Sequence, residues 1–380
     1  MREIMLYHST SPNSTFLICL SLLLLALGTA TAQTASAEPD ADAPPPERVQ
    51  SAIEGGLQWL AENQISGGNR DGSWPSPRYP TAATSFAGLA FLANGHLPGR
   101  GPYGENITRA LAYVEKQMTP EGYLGSRANT MYVHGIATLF GLSCLGMLED
   151  AEHEKELARW CRRSLDLILK AQKVQKEDVE QGGWRYSPYS VDSDLSVSSW
   201  QLAALYSARQ SGFEIPDEVF EDALSYLGHG FTSNEEGEAG YMYRPGVSTE
   251  PEPGITGTTL FVKSILEKEP GERFKEGLEF LRRFTPSWGG EQYKGYFYCD
   301  SFYMSQGMFQ VGGQDWARFA PAMKRVLVEH QQGDGHWGFP PDNRMQSRLA
   351  GETYSTAMAV LILSLDKQYL PMYQKRQRLY

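Results

Sequence analysis

Positive charge is short in this sequence: Lys and Arg total 34 against 45 Asp and Glu, a net charge of −11 at pH 7. Nucleic-acid binding needs clustered cations to displace counterions, and this balance argues against it. Cysteine is scarce as well, with four residues. Cys19 lies in an N-terminal apolar run, which leaves Cys144, Cys161 and Cys299. Three thiols are too few for a disulfide framework. Cys144 and Cys161 fall in helical patterns and read as small buried residues; a bridge between them stays open. Period-2 alternation is absent, so strands have almost no support. There is no Walker loop, no G-x-S-x-G elbow, no H-E-x-x-H and no D-D-x-x-D, which removes the usual signatures of nucleotide, acyl-transfer, zinc-protease and Mg-diphosphate chemistry. Long apolar runs are limited to one, so the chain is not a polytopic membrane protein.

That run, FLICLSLLLLALGTA over 16–30, is followed by small residues as Ala30-Thr31-Ala32 and Ala35-Ser36-Ala37. An apolar stretch of this length ahead of an A-x-A site reads as a secretory signal, 1–32, cleaved after Ala32 or Ala37. An uncleaved membrane anchor is the second choice. The expected location is secreted or periplasmic, with membrane contact only if the segment is retained. Residues 33–50, rich in Pro and Ala, are expected to be a flexible leader. The folded domain is expected over 51–368, and 369–380, ending in Lys375-Arg376-Gln377-Arg378, reads as a solvated tail. Asn106-Ile107-Thr108 fits a glycosylation acceptor, which has meaning only in a eukaryotic source.

Beyond residue 50 one pattern recurs six times. An apolar helix ends near Gln, a Gly-aromatic loop follows, and a second helix of small and aliphatic residues comes next. LQWLAENQ (57–64) leads through DGSW to TAATSFAGLAFLANG (81–95), and SLDLILKAQ (164–172) leads through GGWRYSP to the run from Leu195. The matched apolar residues Leu57, Leu111, Leu165, Leu224, Leu278 and Val326 are spaced 54, 54, 59, 54 and 48 residues apart. A fixed period marks a repeat architecture whose units must stack to bury their faces. The first helices mix charge with apolar residues, as an outer layer does; the second are apolar all round and predict burial on every side. The spacing predicts inner helices near 81–95, 130–147, 195–211, 255–267, 301–311 and 354–366.

Gln64 with Gly72-Ser73-Trp74, Gln172 with Gly182-Gly183-Trp184 and Gln331 with Gly335-His336-Trp337 resemble the repeats of squalene-hopene cyclases. The six-fold helix-pair period is similar to protein prenyltransferase β-subunits too. The resemblance, to the terpenoid cyclase and protein prenyltransferase superfamily over residues 50–366, implies an all-α (α/α)6 toroid with a central cavity. It implies chemistry less firmly. The cyclases protonate an alkene with Asp-x-Asp-Asp, and the nearest match is Asp192-Ser193-Asp194-Leu195, where Leu195 replaces the last acid. Asp192 and Asp194 are therefore either helix-capping groups or cavity carboxylates, the candidate acids. The prenyltransferases hold zinc with Asp, Cys and His. Cys299-Asp300 stands in the wrong order and Ser355 occupies the position of the His, so neither a metal nor another cofactor is expected.

The polar residues near the predicted inner-helix starts are His134, Asp192, Asp194, Tyr243, Arg244, Tyr298, Asp300, Tyr303, Glu352 and Tyr354. Aromatics with a few carboxylates suit an apolar ligand or stacking on sugar rings. The expectation is an exported protein that binds a lipid, glycan or protein partner through its cavity or rim. The alternative is a cavity enzyme, terpenoid cyclase-like or polysaccharide-processing, with Asp192 and Asp194 as its acid.

Overall fold

The structure is a computed structural model that describes residues 43–124, 130–267, 271–344 and 348–374. The chain separates into two units, Met1–Ser36 and Ala37–Tyr380. The first unit, with the apolar run read as a signal, lies outside the described residues, as does the basic end 375–380. No helix among the described residues is long and apolar enough to cross a membrane.

Twelve α-helices form among the described residues, in six consecutive pairs. The first members are α1 (Pro46–Glu62), α3 (Gly104–Glu115), α5 (Ala151–Gln172), α7 (Asp217–His229), α9 (Glu272–Leu281) and α11 (Gly313–Glu329). The second members are α2 (Pro80–Leu92), α4 (Thr130–Cys144), α6 (Leu195–Gln210), α8 (Pro253–Leu266), α10 (Phe297–Val311) and α12 (Glu352–Leu363). They fall within a few residues of the spans expected from the repeat. Each second helix packs on the next, α2 on α4 through to α12, and α12 packs back on α2. The ring is closed, so every second helix has neighbours on all sides. Residues Leu195 to Ala208 of α6 are accordingly all buried. The first helices lie outside this ring and bury one face each, as with Leu157, Cys161, Leu165 and Ile168 of α5. Inner helices α8 and α10 approach to backbone contact, because a side chain at Gly307 would meet the Gly257 carbonyl oxygen at 2.4 Å.

The Gln–Gly–Trp loops weld neighbouring pairs together. Gln172 donates to the carbonyls of Gly182 (2.9 Å) and Val219 (2.8 Å), so one amide ties α5, its loop and the next outer helix. Gln64 does the same with Gly72 and Asn106, and Gln331 with Gly335 and Ala52. Trp74, Trp184 and Trp337 are fully buried, and their indole N–H groups donate to Leu60, Ile168 and Leu327 carbonyls of the preceding outer helix. Their backbone N–H groups donate to Thr84, Ser198 and Thr356 on the inner helix. Gly182 has a positive φ of 92° with Asp222 backbone pressed against it, a place for glycine alone.

Three details differ from the expectation. A two-stranded antiparallel hairpin, β1 (Phe231–Ser233) with β2 (Ala239–Tyr241), follows α7. Its turn is made by Asn234, whose side-chain oxygen accepts from the Glu236 and Glu238 N–H groups, and these strands of 3 residues are too short to show alternation. The first helix begins at Pro46, inside the span read as a leader, because Val49, Ala52 and Ile53 bury against the ring. Met372 and Tyr373, in the span read as a tail, are buried beneath the C-terminal ends of the inner helices. The Tyr373 hydroxyl accepts from Gln306, and the Gln374 carbonyl accepts from Tyr206 and Gln210. Cys144, Cys161 and Cys299 are free thiols. The Asn106 amide is engaged with Gln64 and the Ala61 carbonyl, inside the interface between the first two pairs.

Candidate functional site

A cavity of about 610 Å³ opens at the end of the ring where the inner helices begin. Both the closed ring and the C-terminal turn below it place this space at the N-terminal halves of those helices. Phe86 of α2, Tyr132 of α4, Trp200 of α6, Tyr303 of α10 and Tyr354 of α12 each put one ring into the wall. The sixth inner helix, α8, offers Ile255 there. Edge-to-face contacts of Phe86 with Trp200 (5.5 Å) and Tyr354 (5.6 Å) hold the rings in place. A chain of hydroxyls links three helices behind them: Tyr132 donates to Ser196 (2.6 Å), Ser196 lies 3.0 Å from the Tyr303 hydroxyl, and the Trp200 N–H donates to the same hydroxyl (2.6 Å).

Asp192 and Asp194 do not line this cavity. Asp194 is fully buried as the N-cap of α6, accepting from the Val197 N–H at 2.7 Å. Its other oxygen lies 2.6 Å from the Arg185 guanidinium. Arg185 also pairs with Asp192 (3.4 Å), donates to the Tyr243 hydroxyl (2.8 Å) and stacks over the Tyr186 ring (4.1 Å). Burial raises the Asp194 carboxyl to about 6, against the opposing pull of the Val197 N–H and Arg185. Asp192 is shared between Arg185 and Arg244, and Arg244 in turn reaches Glu180 at 3.1 Å. This network braces the loop before α6 and presents Tyr186 and Tyr243, not the carboxylates, to the cavity.

Asp300 does line it, on the first turn of α10. Its carboxylate sits against Gly254 at the start of α8, where a side chain would come within 2.1 Å of Oδ1. Among the described residues it has neither a hydrogen-bond donor nor an ion-pair partner. Burial pushes its carboxyl well above the usual range, Glu252 adds to this, and Lys294 opposes it. Cys299 beside it is raised by burial too, so the thiol is not a nucleophile at neutral pH. The remaining charged groups stand at the rim, with Lys294 3.3 Å from Glu252 and Arg344 over the Tyr296 ring at 5.1 Å.

Of the residues singled out from the sequence, Tyr243, Asp300, Tyr303 and Tyr354 meet at the cavity. His134, Tyr298 and Glu352 stand elsewhere. His134 is buried in the position that Thr84, Ser198 and Thr356 fill in other repeats, accepting from the Leu124 N–H through Nδ1 and donating to the Ser164 carbonyl through Nε2. Burial lowers it to about 4, a neutral structural imidazole. Tyr298 donates to the Gly338 carbonyl within the loop packing, and Glu352 is exposed, 3.8 Å from His336. Ser355 donates to the Trp337 carbonyl and serves the loop. No group of three metal-ligating side chains occurs among the described residues, and His336, paired with Asp334, is not in the cavity wall with Cys299 and Asp300. Sequence reasoning missed Phe86, Tyr132 and Trp200. Polar residues at helix starts do not mark them; the signal is an aromatic in the first two turns of five of the six inner helices.

No protein-family model matches this sequence, and no curated protein is similar to it. Solved structures share the fold. An inactive variant of an α-1,6-mannanase from Salegentibacter sp. HEL1_6, in complex with α-1,6-mannotriose, matches with a TM-score of 0.56 at 12% identity, over 84% of this chain and 99% of that one. The type II terpene cyclase MstE from Scytonema, in complex with geranylgeranyl dihydroxybenzoate, matches with a TM-score of 0.52 at 12% identity, over 84% and 98%. A mannosidase of glycoside hydrolase family 76 from Bacteroides thetaiotaomicron matches with a TM-score of 0.56 at 9% identity, over 84% and 98%. At these identities the likeness is one of fold, the α/α toroid, for terpene cyclase and mannanases alike.

Proposed function

We propose that this chain is an exported ligand-binding protein that takes a small organic molecule into the central cavity of its toroid. The observation that carries the reading is the ring of aromatic side chains, one from each of five inner helices, around about 610 Å³ of open space. That volume lies in the range of small-molecule sites, about 300–1,000 Å³. Alkene protonation is disfavoured because it demands a strong acid, while Asp300, the carboxyl on the inner-helix wall, is made weaker by burial and by Glu252. Inherited cyclase or zinc chemistry has no other support, so binding is the reading we adopt. Export rests on the apolar run and its A-x-A sites, with an uncleaved anchor as the second choice.

Native mass spectrometry of the purified protein, with melting-temperature shifts for mannotriose, geranylgeraniol and aromatic ammonium ions, tests the proposal. The expected result is a bound small molecule or a clear upward shift for one class. Ala83→Trp, which fills the cavity from α2, is expected to abolish either signal while the chain stays folded. Binding that survives this substitution would move the site away from the cavity.

A further inference from the structure

Five inner helices give the cavity wall an aromatic face and the sixth, α8, does not. In that sector stands the Asp300 carboxylate, seated against the backbone of Gly254 in the first turn of α8. The seat exists only because residue 254 lacks a side chain. The other carboxylates around this end of the ring are paired: Asp194 with Arg185, Asp192 with Arg185 and Arg244, Glu180 with Arg244, and Glu252 with Lys294. Asp300 has no such partner among the described residues. The two cationic side chains that border the cavity are both at the rim, Lys294 already bound to Glu252 and Arg344 stacked outside on Tyr296.

Aromatic faces are negative and attract a cation within about 6 Å of the ring centroid. An unpaired carboxylate facing a wall of such rings has a large electrostatic demand for positive charge. An anionic ligand would be met favourably by Lys294 and Arg344 at the rim, but deeper in the cavity it would face the Asp300 carboxyl and the aromatic wall. A neutral ligand would leave Asp300 to be neutralised by a proton, which burial and Glu252 favour, whereas a cation stabilises the ionised form.

We propose that the cavity is selective for organic cations, an amine or quaternary ammonium group on an apolar body, with Asp300 as the counter-ion and Trp200, Tyr132, Phe86, Tyr303 and Tyr354 as the cage. This deepens the cavity-binding reading and rests on it. The ligand's charged group lies toward α8 and α10, and its apolar body toward α2, α4 and α6. Because the net charge of the chain is −11, the surrounding field draws cations as well.

The test compares benzyltrimethylammonium with its neutral carbon isostere neopentylbenzene and with the anion benzenesulfonate, by calorimetry on the full chain. The cation is expected to bind about tenfold more tightly than the isostere, and the anion not at all. Asp300→Asn should cut that advantage severalfold, down to the share that the rings supply, and leave neopentylbenzene unchanged. A second measurement needs no variant. In the wild-type chain the affinity for the cation should rise with pH as Asp300, flanked by Glu252, Lys294, Cys299 and Tyr354, loses its proton, while the affinity for the isostere stays flat. Equal affinities for cation and isostere would overturn the cation assignment, and an undiminished advantage in Asp300→Asn or a flat pH profile for the cation would overturn Asp300 as its counter-ion; each leaves cavity binding standing. Failure of all three probes, together with no ligand on the purified chain, would overturn cavity binding itself.

Discussion

His134 shows how a single residue can look functional and be structural. Its Nδ1 accepts from the Leu124 N–H, so the ring proton is assigned to Nε2, which faces the Ser164 carbonyl. A second proton would set Nδ1–H against the Leu124 N–H. The folded value of about 4 lies below the unperturbed 6.5, so the unfolded chain takes up the extra proton between these values. Stability from this group is therefore complete above about pH 6.5 and is lost as pH falls toward 4. At about 1.4 kcal/mol per unit, the loss approaches ~3 kcal/mol. Urea titrations at pH 4.5 and 7.5 check this: His134→Gln should lower stability at pH 7.5 and flatten the difference between the two pH values. An undiminished difference in the variant would assign the acid sensitivity to other groups. Trp184 offers a second residue-scale prediction. Trp184→Ala should cost ~3–5 kcal/mol as a large core truncation, whereas Trp184→Phe should cost about 1–3 kcal/mol, for the lost indole bond to the Ile168 carbonyl and the smaller ring. A wild-type melting temperature in Trp184→Ala would contradict the wedge role of this ring.

Between elements, the Gln side chains are the couplings. Gln172 sits at the last turn of α5 with both amide hydrogens used, one on its own loop and one on the α7 backbone. Gln172→Ala leaves the Gly182 carbonyl without its donor and removes the second donor from the Val219 carbonyl, which keeps its helical bond, and is expected to cost about 1–3 kcal/mol. Gln172→Glu keeps the shape and loses both donors, so it should be no better. Chemical denaturation of the two variants measures this, and a Glu variant as stable as the wild type would refute the donor role. The second pair lacks the full motif: among the described residues Gln117 donates to the Tyr113 carbonyl of its own helix, and His134 takes over the loop anchor. The same task is solved there with different chemistry, which is why that repeat is faint in the sequence.

For the whole molecule, closure of the ring is the decisive property. Gln331 joins the sixth pair to the first by donating to the Ala52 carbonyl, the same contact that Gln172 makes inside the ring. In an open solenoid a terminal link is worth less than an internal one. In this closed ring Gln331→Ala should destabilise as much as Gln172→Ala, and a much smaller effect would indicate that the seam opens. The C-terminal turn seals the far end. Tyr373 packs between Phe261 and Phe309 at 6.0 Å from each and accepts from Gln306. Tyr373→Ala is expected to cost ~3–5 kcal/mol and to raise hydrogen exchange at the C-terminal ends of α6, α8 and α10.

Periodicity alone determined the helix pairs, their order and their two layers. A face that is apolar all round in α6 or α12 has nowhere to lie except inside other helices, and the repeat of Gln, Gly and Trp marks where each pair turns. The same local logic offered capping as one of two readings of Asp194, since capping depends on residues three positions apart, but only the structure decided against the cavity. The site was a different matter. Tyr243, Asp300, Tyr303 and Tyr354 were legible as residues near inner-helix starts, but so were His134, Tyr298 and Glu352, which face loops or solvent. Which side of an inner helix faces the cavity is set by how the ring closes, and an evenly apolar helix carries no moment to reveal it. Phe86, Tyr132 and Trp200 came to line one cavity, and Asp300 to stand without an ion-pair partner among the described residues, only when helices far apart in sequence were brought around one space. Charge pairing is a tertiary property for the same reason: Asp192 found Arg244 across the ring's loops, while Asp300 found Gly254 and, among the described residues, no ion-pair partner.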